Sequence, residues 1–128
     1  MKKIILAIDD QPDMLNLIGS VLEDSEYEVR IAKTISRALS ILSSTTKIDL
    51  ILLDIMMPDI TGIEFFQYLK TLNFSKHIPV ILLTSESGQE TISKALELGV
   101  QSFITKPFDP AVLHIKIKEA LGQIPADF

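Results

Sequence analysis

Short apolar runs alternate along this chain with stretches in which apolar residues recur every three or four positions. The runs at residues 4–8, 50–53 and 80–83 are continuously apolar, the pattern of strands buried on both faces of a parallel sheet. Strands are predicted over residues 3–9, 28–33, 48–54, 79–84 and 101–105. Helices are predicted over residues 12–24, 35–44, 61–72, 88–98 and 109–121.

Helix boundary signals agree with this alternation. Gly99 is typical of a helix end, and Asp109-Pro110 offers an N-cap followed by proline at the first helical position. Five strand–helix units joined by right-handed crossovers predict an α/β fold, a flavodoxin-like (βα)5 doubly wound parallel sheet with strand order 2-1-3-4-5.

Length and charge narrow the class of protein. The 128 residues predict one domain over residues 1–128, with its core at about 3–121 and no output domain. A net charge of -5 argues against direct nucleic-acid binding, because no basic patch is present to neutralise phosphates. No apolar run reaches the roughly 18 residues of a membrane span, and cysteine is absent. We therefore expect a cytoplasmic protein without a membrane partner.

Polar side chains stand where the predicted strands end. Asp9 and Asp10 end the first strand, Asp54 the third and Thr84 the fourth, while Lys106 follows the fifth. The binding site of such a sheet lies beyond the carboxyl ends of its strands, at the switch point between strands 1 and 3. We therefore expect these side chains to meet at one edge.

The types of side chain predict phosphoryl chemistry. Acids that close repel one another, and a hard cation with oxygen ligands, such as Mg²⁺, relieves the repulsion. Asp54 is best placed to attack phosphorus and give an acyl phosphate, with Mg²⁺ held by Asp10 and Asp54 and assisted by Asp9 through water. The Lys106 ammonium and the Thr84 hydroxyl would bind phosphoryl oxygens.

Taken singly, these residues have ordinary structural explanations. Asp9 and Asp10 could form an acidic turn that caps the first helix, and Asp54 could be a turn former. Met56 and Met57 are expected to pack rather than to bind. The phosphoryl site is preferred because a single site accounts for every placement, whereas the ordinary explanations must all hold independently.

Over about residues 3–121 the chain resembles the receiver domain of two-component response regulators. The matching segments are Ile8-Asp9-Asp10, Leu53-Asp54-Ile55-Met56-Met57-Pro58 with Gly62, Leu83-Thr84-Ser85, and Lys106-Pro107-Phe108. Each segment alone is common, but the ordered set at these spacings is specific. The resemblance implies a signalling protein that assists its own phosphorylation and dephosphorylation, not an enzyme that turns over an external substrate.

The resemblance also implies roles for individual residues. Asp54 would accept a phosphoryl group from a histidine kinase or phosphotransfer protein, with Mg²⁺ bound by Asp9, Asp10, Asp54 and the backbone carbonyl of Met56. Lys106, in a cis peptide with Pro107, would assist.

Thr84 and Phe103 would form a switch pair, the hydroxyl moving toward the phosphoryl group while the ring turns inward. The switch would change the surface of the fourth helix, fifth strand and fifth helix. In the fifth helix, Val112 and Ile115 lie off the apolar stripe of Leu113, Ile117 and Leu121. This surface would bind a downstream protein target or a separate output domain, with the chain a monomer or a phosphorylation-dependent dimer.

Three positions depart from the commonest family pattern. Ile35 stands where many relatives carry glycine, which we expect to be harmless. Met56 and Glu86 lie two residues beyond Asp54 and Thr84, at positions that influence the access of water and hence the lifetime of the phosphoryl group.

Three other functions remain open at this point. A Mg²⁺-dependent phosphatase of the haloacid dehalogenase kind would need its nucleophile after the first strand and a cap insertion. A flavodoxin-like cofactor carrier would need a phosphate-binding loop, which Asp9 and Asp10 would oppose. An interaction module that no longer cycles phosphate is the third, disfavoured because the site residues are intact.

Overall fold

The structure, a computed structural model, describes residues 2–23, 26–58, 60–85 and 89–124, with Gln89 described only in its backbone. Its strands are β1 (Lys3–Ile8), β2 (Tyr27–Ala32), β3 (Leu50–Asp54), β4 (Val80–Thr84) and β5 (Ser102–Thr105). Its helices are α1 (Pro12–Leu22), α2 (Ile35–Leu42), α3 (Gly62–Leu69), α4 (Gln89–Glu97) and α5 (Pro110–Ala120). The strands form one parallel sheet in the order β2-β1-β3-β4-β5, which confirms the predicted fold.

Two apolar layers cover the sheet. On one face Leu15, Ile18 and Leu22 of α1 pack with Leu113 and Ile117 of α5. On the other face the buried side chains come from α2, α3 and α4. Every residue of β3 and β4 is buried, as the continuously apolar runs predict for strands that are covered on both faces.

The third helix is shorter than its apolar pattern predicts, ending at Leu69 instead of residue 72. The buried Ser75 hydroxyl donates a 2.7 Å hydrogen bond to the Leu69 carbonyl, which also accepts the Leu72 N–H at 3.3 Å. The Lys70 ammonium donates to the carbonyls of Lys76 and Ile78 at 3.1 and 3.2 Å. These side chains tie the helix end to the segment that leads into β4.

Helix starts follow the local signals. Thr61 and Glu64 form a capping box at the start of α3, and the Asp109 carboxylate accepts the Ala111 N–H at the start of α5. Gly99 has φ +103, a left-handed conformation that suits glycine after α4. Among the described residues, no helix combines the length and apolar character that crossing a membrane requires.

Candidate functional site

Strand alternation carries three charged residues to the same face of the sheet. Asp9, Asp54 and Lys106 continue the alternation of buried apolar residues in β1, β3 and β5 that pack against α1 and α5. Asp9 follows β1 and Asp54 ends the neighbouring β3, whereas Lys106 follows β5 at the far edge of the sheet. The charges therefore converge beyond the carboxyl edge, as the sequence predicts.

The Lys106 ammonium links the two buried acids. Its Nζ donates to Asp9 Oδ2 at 2.8 Å and lies 3.4 Å from Asp54 Oδ1. Asp9 is completely buried, and its Oδ1 accepts the Gln11 N–H at 2.9 Å. Asp54 Oδ1 accepts the Met56 N–H at 3.2 Å. Each carboxylate thus keeps at least one donor, which a buried charge requires.

Asp10 completes a group of three acids. One carboxylate oxygen from each of Asp9, Asp10 and Asp54 lies within 4.8 Å of the other two, and Asp10 is exposed where the other two are buried. Three carboxylates face one ammonium here, so negative charge remains uncompensated. Hard oxygen donors at this separation fit a divalent cation such as Mg²⁺.

The environment of Asp54 disfavours its charge. Burial raises the pKa of Asp54 above its ordinary value, and the neighbouring Asp9 raises it further, while the Met56 N–H and Lys106 act in the opposite direction. The net effect is a raised pKa. A cation beside Asp54 would reverse this balance, which supports the fit of the acids to a metal.

Close backbone approach fixes the loop after β3. A Cβ on Gly62 would lie 2.6 Å from the Ile55 Cα and 2.7 Å from the Asp54 carbonyl oxygen, so only glycine fits. The Gly62 N–H donates to the Ile55 carbonyl at 2.8 Å. An isolated antiparallel bridge pairs Met56 with Thr61. The start of α3 therefore holds the backbone that directly follows Asp54.

A pocket of about 440 Å³ opens over the acids and is lined by Asp10, Gln11, Met14, Asp54, Met56, Ser85, Lys106 and Pro107. Asp9 and Thr84 are buried and do not line it. Phe103 lies lower on β5, opposite Leu82 and half-buried. Thr84 and Phe103 lie on the face of the sheet that α2, α3 and α4 cover. Leu82 belongs to that face; Thr84 lies two residues beyond it on β4, and Phe103 is its partner on β5.

A family profile described as the response regulator receiver domain matches residues 5–118. The chain belongs to this family. It is 34% identical over 124 residues to the phosphate regulon transcriptional regulatory protein PhoB of Escherichia coli strain K12, covering 97% of this chain and 54% of PhoB. It is 33% identical over 107 residues to two-component response regulator ORR5 of Oryza sativa subsp. japonica, covering 84% of this chain and 80% of ORR5. Chemotaxis protein CheY4 of Vibrio cholerae has a TM-score of 0.87 at 28% identity, covering 94% of this chain and all of CheY4.

The chain is therefore a receiver domain of two-component response regulators, a family of signalling phosphoacceptors. Receiver domains bind Mg²⁺ at an acidic pocket, and the acids of this chain form such a cluster. The chain spans about half the length of PhoB.

Two features of the pocket, its lining by Gln11 and Met14 and the exposure of Met56, were not predicted from the sequence. Gln11 and Met14 line the pocket; their only sequence signal is their position at the start of the helix that follows Asp9-Asp10. The prediction that Met56 packs is wrong, because this residue is 59% exposed, whereas Met57 is buried. Met56 lies two residues after the end of β3, in a loop whose backbone packs closely against Gly62. In this loop the Met56 side chain faces solvent.

The Lys106-Pro107 peptide is cis, as the family resemblance implies. Ile35 begins α2 after a Thr34 N-cap and is half-buried against the core, so the departure from glycine is accommodated. Glu86 lies outside the described residues.

Proposed function

We propose that Asp54 accepts a phosphoryl group from the phosphohistidine of a histidine kinase or phosphotransfer protein. The observation that carries this proposal is the shared Lys106 ammonium, which lies 2.8 Å from Asp9 and 3.4 Å from Asp54 within a group of three acids. Both donor contacts described for the Asp54 carboxylate fall on Oδ1. Oδ2 is therefore the oxygen that we assign to the attack.

The transfer exchanges the P–N bond of the donor for a P–O bond on Asp54. An electron pair of Asp54 Oδ2 forms a new P–O bond, the P–N bond to the donor histidine breaks, and the histidine nitrogen retains that electron pair. Attack by water on phosphorus later releases inorganic phosphate and returns the carboxylate. Asp54 ends each cycle unchanged, so the chain assists its own phosphorylation and dephosphorylation without turning over an external substrate.

The neighbouring side chains supply the charge and the donors that this transfer needs. Asp9, Asp10, Asp54 and the Met56 carbonyl would hold Mg²⁺, which offsets negative charge on the phosphoryl oxygens and on the acids. Lys106 keeps its contact with buried Asp9, which positions the ammonium to bind a phosphoryl oxygen on Asp54.

We further infer that Thr84 and Phe103 act as the switch pair. Thr84 ends β4 and Phe103 lies on β5, on the same face of the sheet. A hydroxyl drawn toward the phosphoryl group would leave space for the ring, giving two arrangements between which phosphorylation selects.

The surface that responds would be that of α4, β5 and α5. Val112 and Ile115 of α5 are 41% and 38% exposed, and Leu96 of α4 is 45% exposed, so this side of the domain presents apolar groups to a protein target or an output domain. We expect a cytoplasmic setting and a protein, not a nucleic acid, as the direct partner.

The test uses phosphoramidate, a small donor whose P–N bond resembles that of phosphohistidine, together with Mg²⁺. We expect the intact mass of the wild type to increase by one phosphoryl group, and EDTA to abolish the increase. Asp54→Ala should gain nothing. Asp13→Ala is the matched control, because Asp13 is an exposed acid in the first turn of α1 and its loss leaves phosphorylation intact.

Two results would contradict the proposal. A mass gain that survives in Asp54→Ala would place the acceptor elsewhere. Failure of the wild type to gain mass from phosphoramidate and also from a histidine-phosphorylated phosphotransfer protein would leave an interaction module that does not cycle phosphate.

A further inference from the structure

The strand β2 forms one lateral edge of the sheet. In the part of the chain that the structure describes, it pairs with β1 alone. The Asp9 N–H donates to the Ala32 carbonyl at 3.1 Å, so Ala32 directs its backbone groups toward β1. Because these directions alternate along a strand, Arg30 and Glu28 also face β1. The N–H and C=O groups of Val29 and Ile31 therefore point outward from the sheet.

The outer edge of β2 is accessible from both sides. A groove of about 490 Å³ separates it from α2, and one of about 560 Å³ separates it from α1. Both grooves are lined by Val29 and Ile31, and Ile31 is 47% exposed. The α1 side presents Gly19, where a Cβ would meet no atom within 4 Å. Another strand could therefore approach β2 without displacing either helix.

The charges on β2 are arranged as a self-complementary pair. Arg30 and Glu28 form an ion pair at 2.7 Å, and their side chains are 48% and 41% exposed. They are two residues apart, so they lie on one face of the sheet. A second copy of β2 running antiparallel about a two-fold axis would present the same two charges in reverse order.

Outward backbone groups restrict the possible registers. Within β2 (Tyr27–Ala32), the backbone groups of Tyr27, Val29 and Ile31 point outward. In a hydrogen-bonded antiparallel pair, these residues of one copy must lie opposite the same set in the other. Centring the two-fold axis on Arg30 would place Arg30 opposite itself, and centring it on Glu28 would place two glutamates together. Like charges directly opposite are destabilising. Centring the axis on Val29 places each Glu28 opposite Arg30 of the second copy.

We propose that the β2 edge is a self-association surface, on which two copies of this chain pair antiparallel with Val29 at the two-fold axis. The pairing joins the two sheets through about six backbone hydrogen bonds. On the α1 side, Val29 lies opposite its own copy, and exposed Ile31 lies opposite Tyr27. On the α2 side, two Glu28–Arg30 pairs form between the copies. The occupant is a second copy because the edge complements itself in this register.

The test is molar mass measured by sedimentation equilibrium, without any phosphoryl donor, over about 10 µM to 1 mM, the range expected for a small interface. The wild type should rise from the monomer mass of 14.3 kDa toward twice that value. Glu28→Arg carries two arginines and Arg30→Glu two glutamates on the strand, so each variant alone should stay monomeric. An equimolar mixture of the two should form heterodimers, because every cross-strand pair is again of opposite charge.

The mixture distinguishes charge pairing between copies from the Glu28–Arg30 ion pair within each copy, because neither variant keeps that ion pair. Val29→Pro removes an outward N–H without removing a bond to β1, and it should also abolish dimers; an unchanged far-UV spectrum shows that it folds. The matched control is Val112→Ala with Ile115→Ala, exposed apolar residues on α5, and it should dimerise like the wild type.

Each of three outcomes would overturn the proposal. The wild type could remain monomeric at about 1 mM, the upper end of the range. The mixture of charge variants could fail to associate although the wild type does. The dimer could persist in Glu28→Arg and disappear in the α5 control, which would assign it to the α5 face.

Discussion

Replacing Asp54 by asparagine should stabilise the metal-free protein at neutral pH. Asparagine keeps the size and the acceptor oxygen of the side chain and removes a charge that its surroundings disfavour. The Asp54 side chain is only 5% exposed, and its pKa is raised, chiefly by burial. Since a raised folded-state pKa means that ionisation costs the folded state free energy, the neutral substitute avoids that cost.

The size of the effect follows from the distances. At an effective dielectric constant of about 20, a like charge within 4.8 Å contributes at least about 3.5 kcal/mol of repulsion, and Lys106 at 3.4 Å about 5 kcal/mol of attraction. These opposing contributions are of similar size. The hydration that the Asp54 carboxylate loses on burial therefore decides whether its charge stabilises or destabilises the folded protein. Water in the adjoining pocket screens part of each contribution, and we expect a net gain of about 1–2 kcal/mol. For 128 residues this is about 4–8 °C in Tm.

The pH dependence of the stability difference tests the direction of this effect. The cost of ionising Asp54 is absent below its ordinary pKa of 3.8, increases as pH rises through the raised folded-state pKa, and is complete above it. Thermal unfolding in EDTA should therefore give a difference between Asp54→Asn and the wild type that is full at pH 7 and shrinks toward pH 4. Asp13→Asn, which removes an exposed acid, should give no such gain.

Adding Mg²⁺ should reduce the stability advantage of Asp54→Asn over the wild type. A cation bound to the folded state at 100 times its Kd stabilises by about 2.7 kcal/mol, and the wild type should gain more than Asp54→Asn because it keeps all three acids. A metal-free Asp54→Asn that unfolds at a lower temperature than the wild type at pH 7 would contradict this prediction. In that case Lys106 would already compensate the charge, and the acids would not call for a cation.

Four further substitutions, one of them the control Gly19→Ala, test contacts at the site and at the end of α3, each by urea denaturation. Gly62→Ala should destabilise by about 1–3 kcal/mol because its Cβ has no room, whereas Gly19→Ala in α1 should stabilise by about 0.5–1 kcal/mol; equal effects would contradict the close approach. Lys106→Met should destabilise the EDTA-treated protein by about 3 kcal/mol because it leaves buried Asp9 without its ammonium, and a neutral result would mean that the pair contributes nothing. Ser75→Ala should cost about 1–2 kcal/mol through the lost bond to the end of α3, and no loss would show that the Leu72 N–H, which lies 3.3 Å from the same carbonyl, satisfies it alone.

The fold could be predicted because several sequence signals agree. The continuous apolar runs of β1, β3 and β4 and the helical stripes between them identify both layers, and right-handed crossovers restrict the strand order. The end of α3 could not be predicted, because it depends on Ser75 and Lys70, which bind carbonyls several residues away. Such side-chain contacts across a turn leave no periodic signal.

The convergence of the charged side chains could be predicted from the sequence, but their individual contacts could not. Sequence alone brings Asp9, Asp10, Asp54 and Lys106 to one edge, because each follows or ends a parallel strand. It does not show that Lys106 contacts Asp9 more closely than Asp54, at 2.8 against 3.4 Å. That difference depends on side-chain rotamers and on the backbone donors that hold each carboxylate.

Asp9 connects the acidic site with the edge strand. Its carboxylate binds Lys106, and its backbone N–H binds the Ala32 carbonyl at the end of β2. Pairing with a second copy would use the outward groups of Tyr27, Val29 and Ile31, which alternate with the groups that face β1, so no bond to Asp9 has to break. The position of Asp9, and with it Lys106, is therefore the same in monomer and dimer. Self-association through β2 should accordingly be independent of phosphorylation, in contrast to a dimer formed on the α4, β5 and α5 surface, which the switch would control.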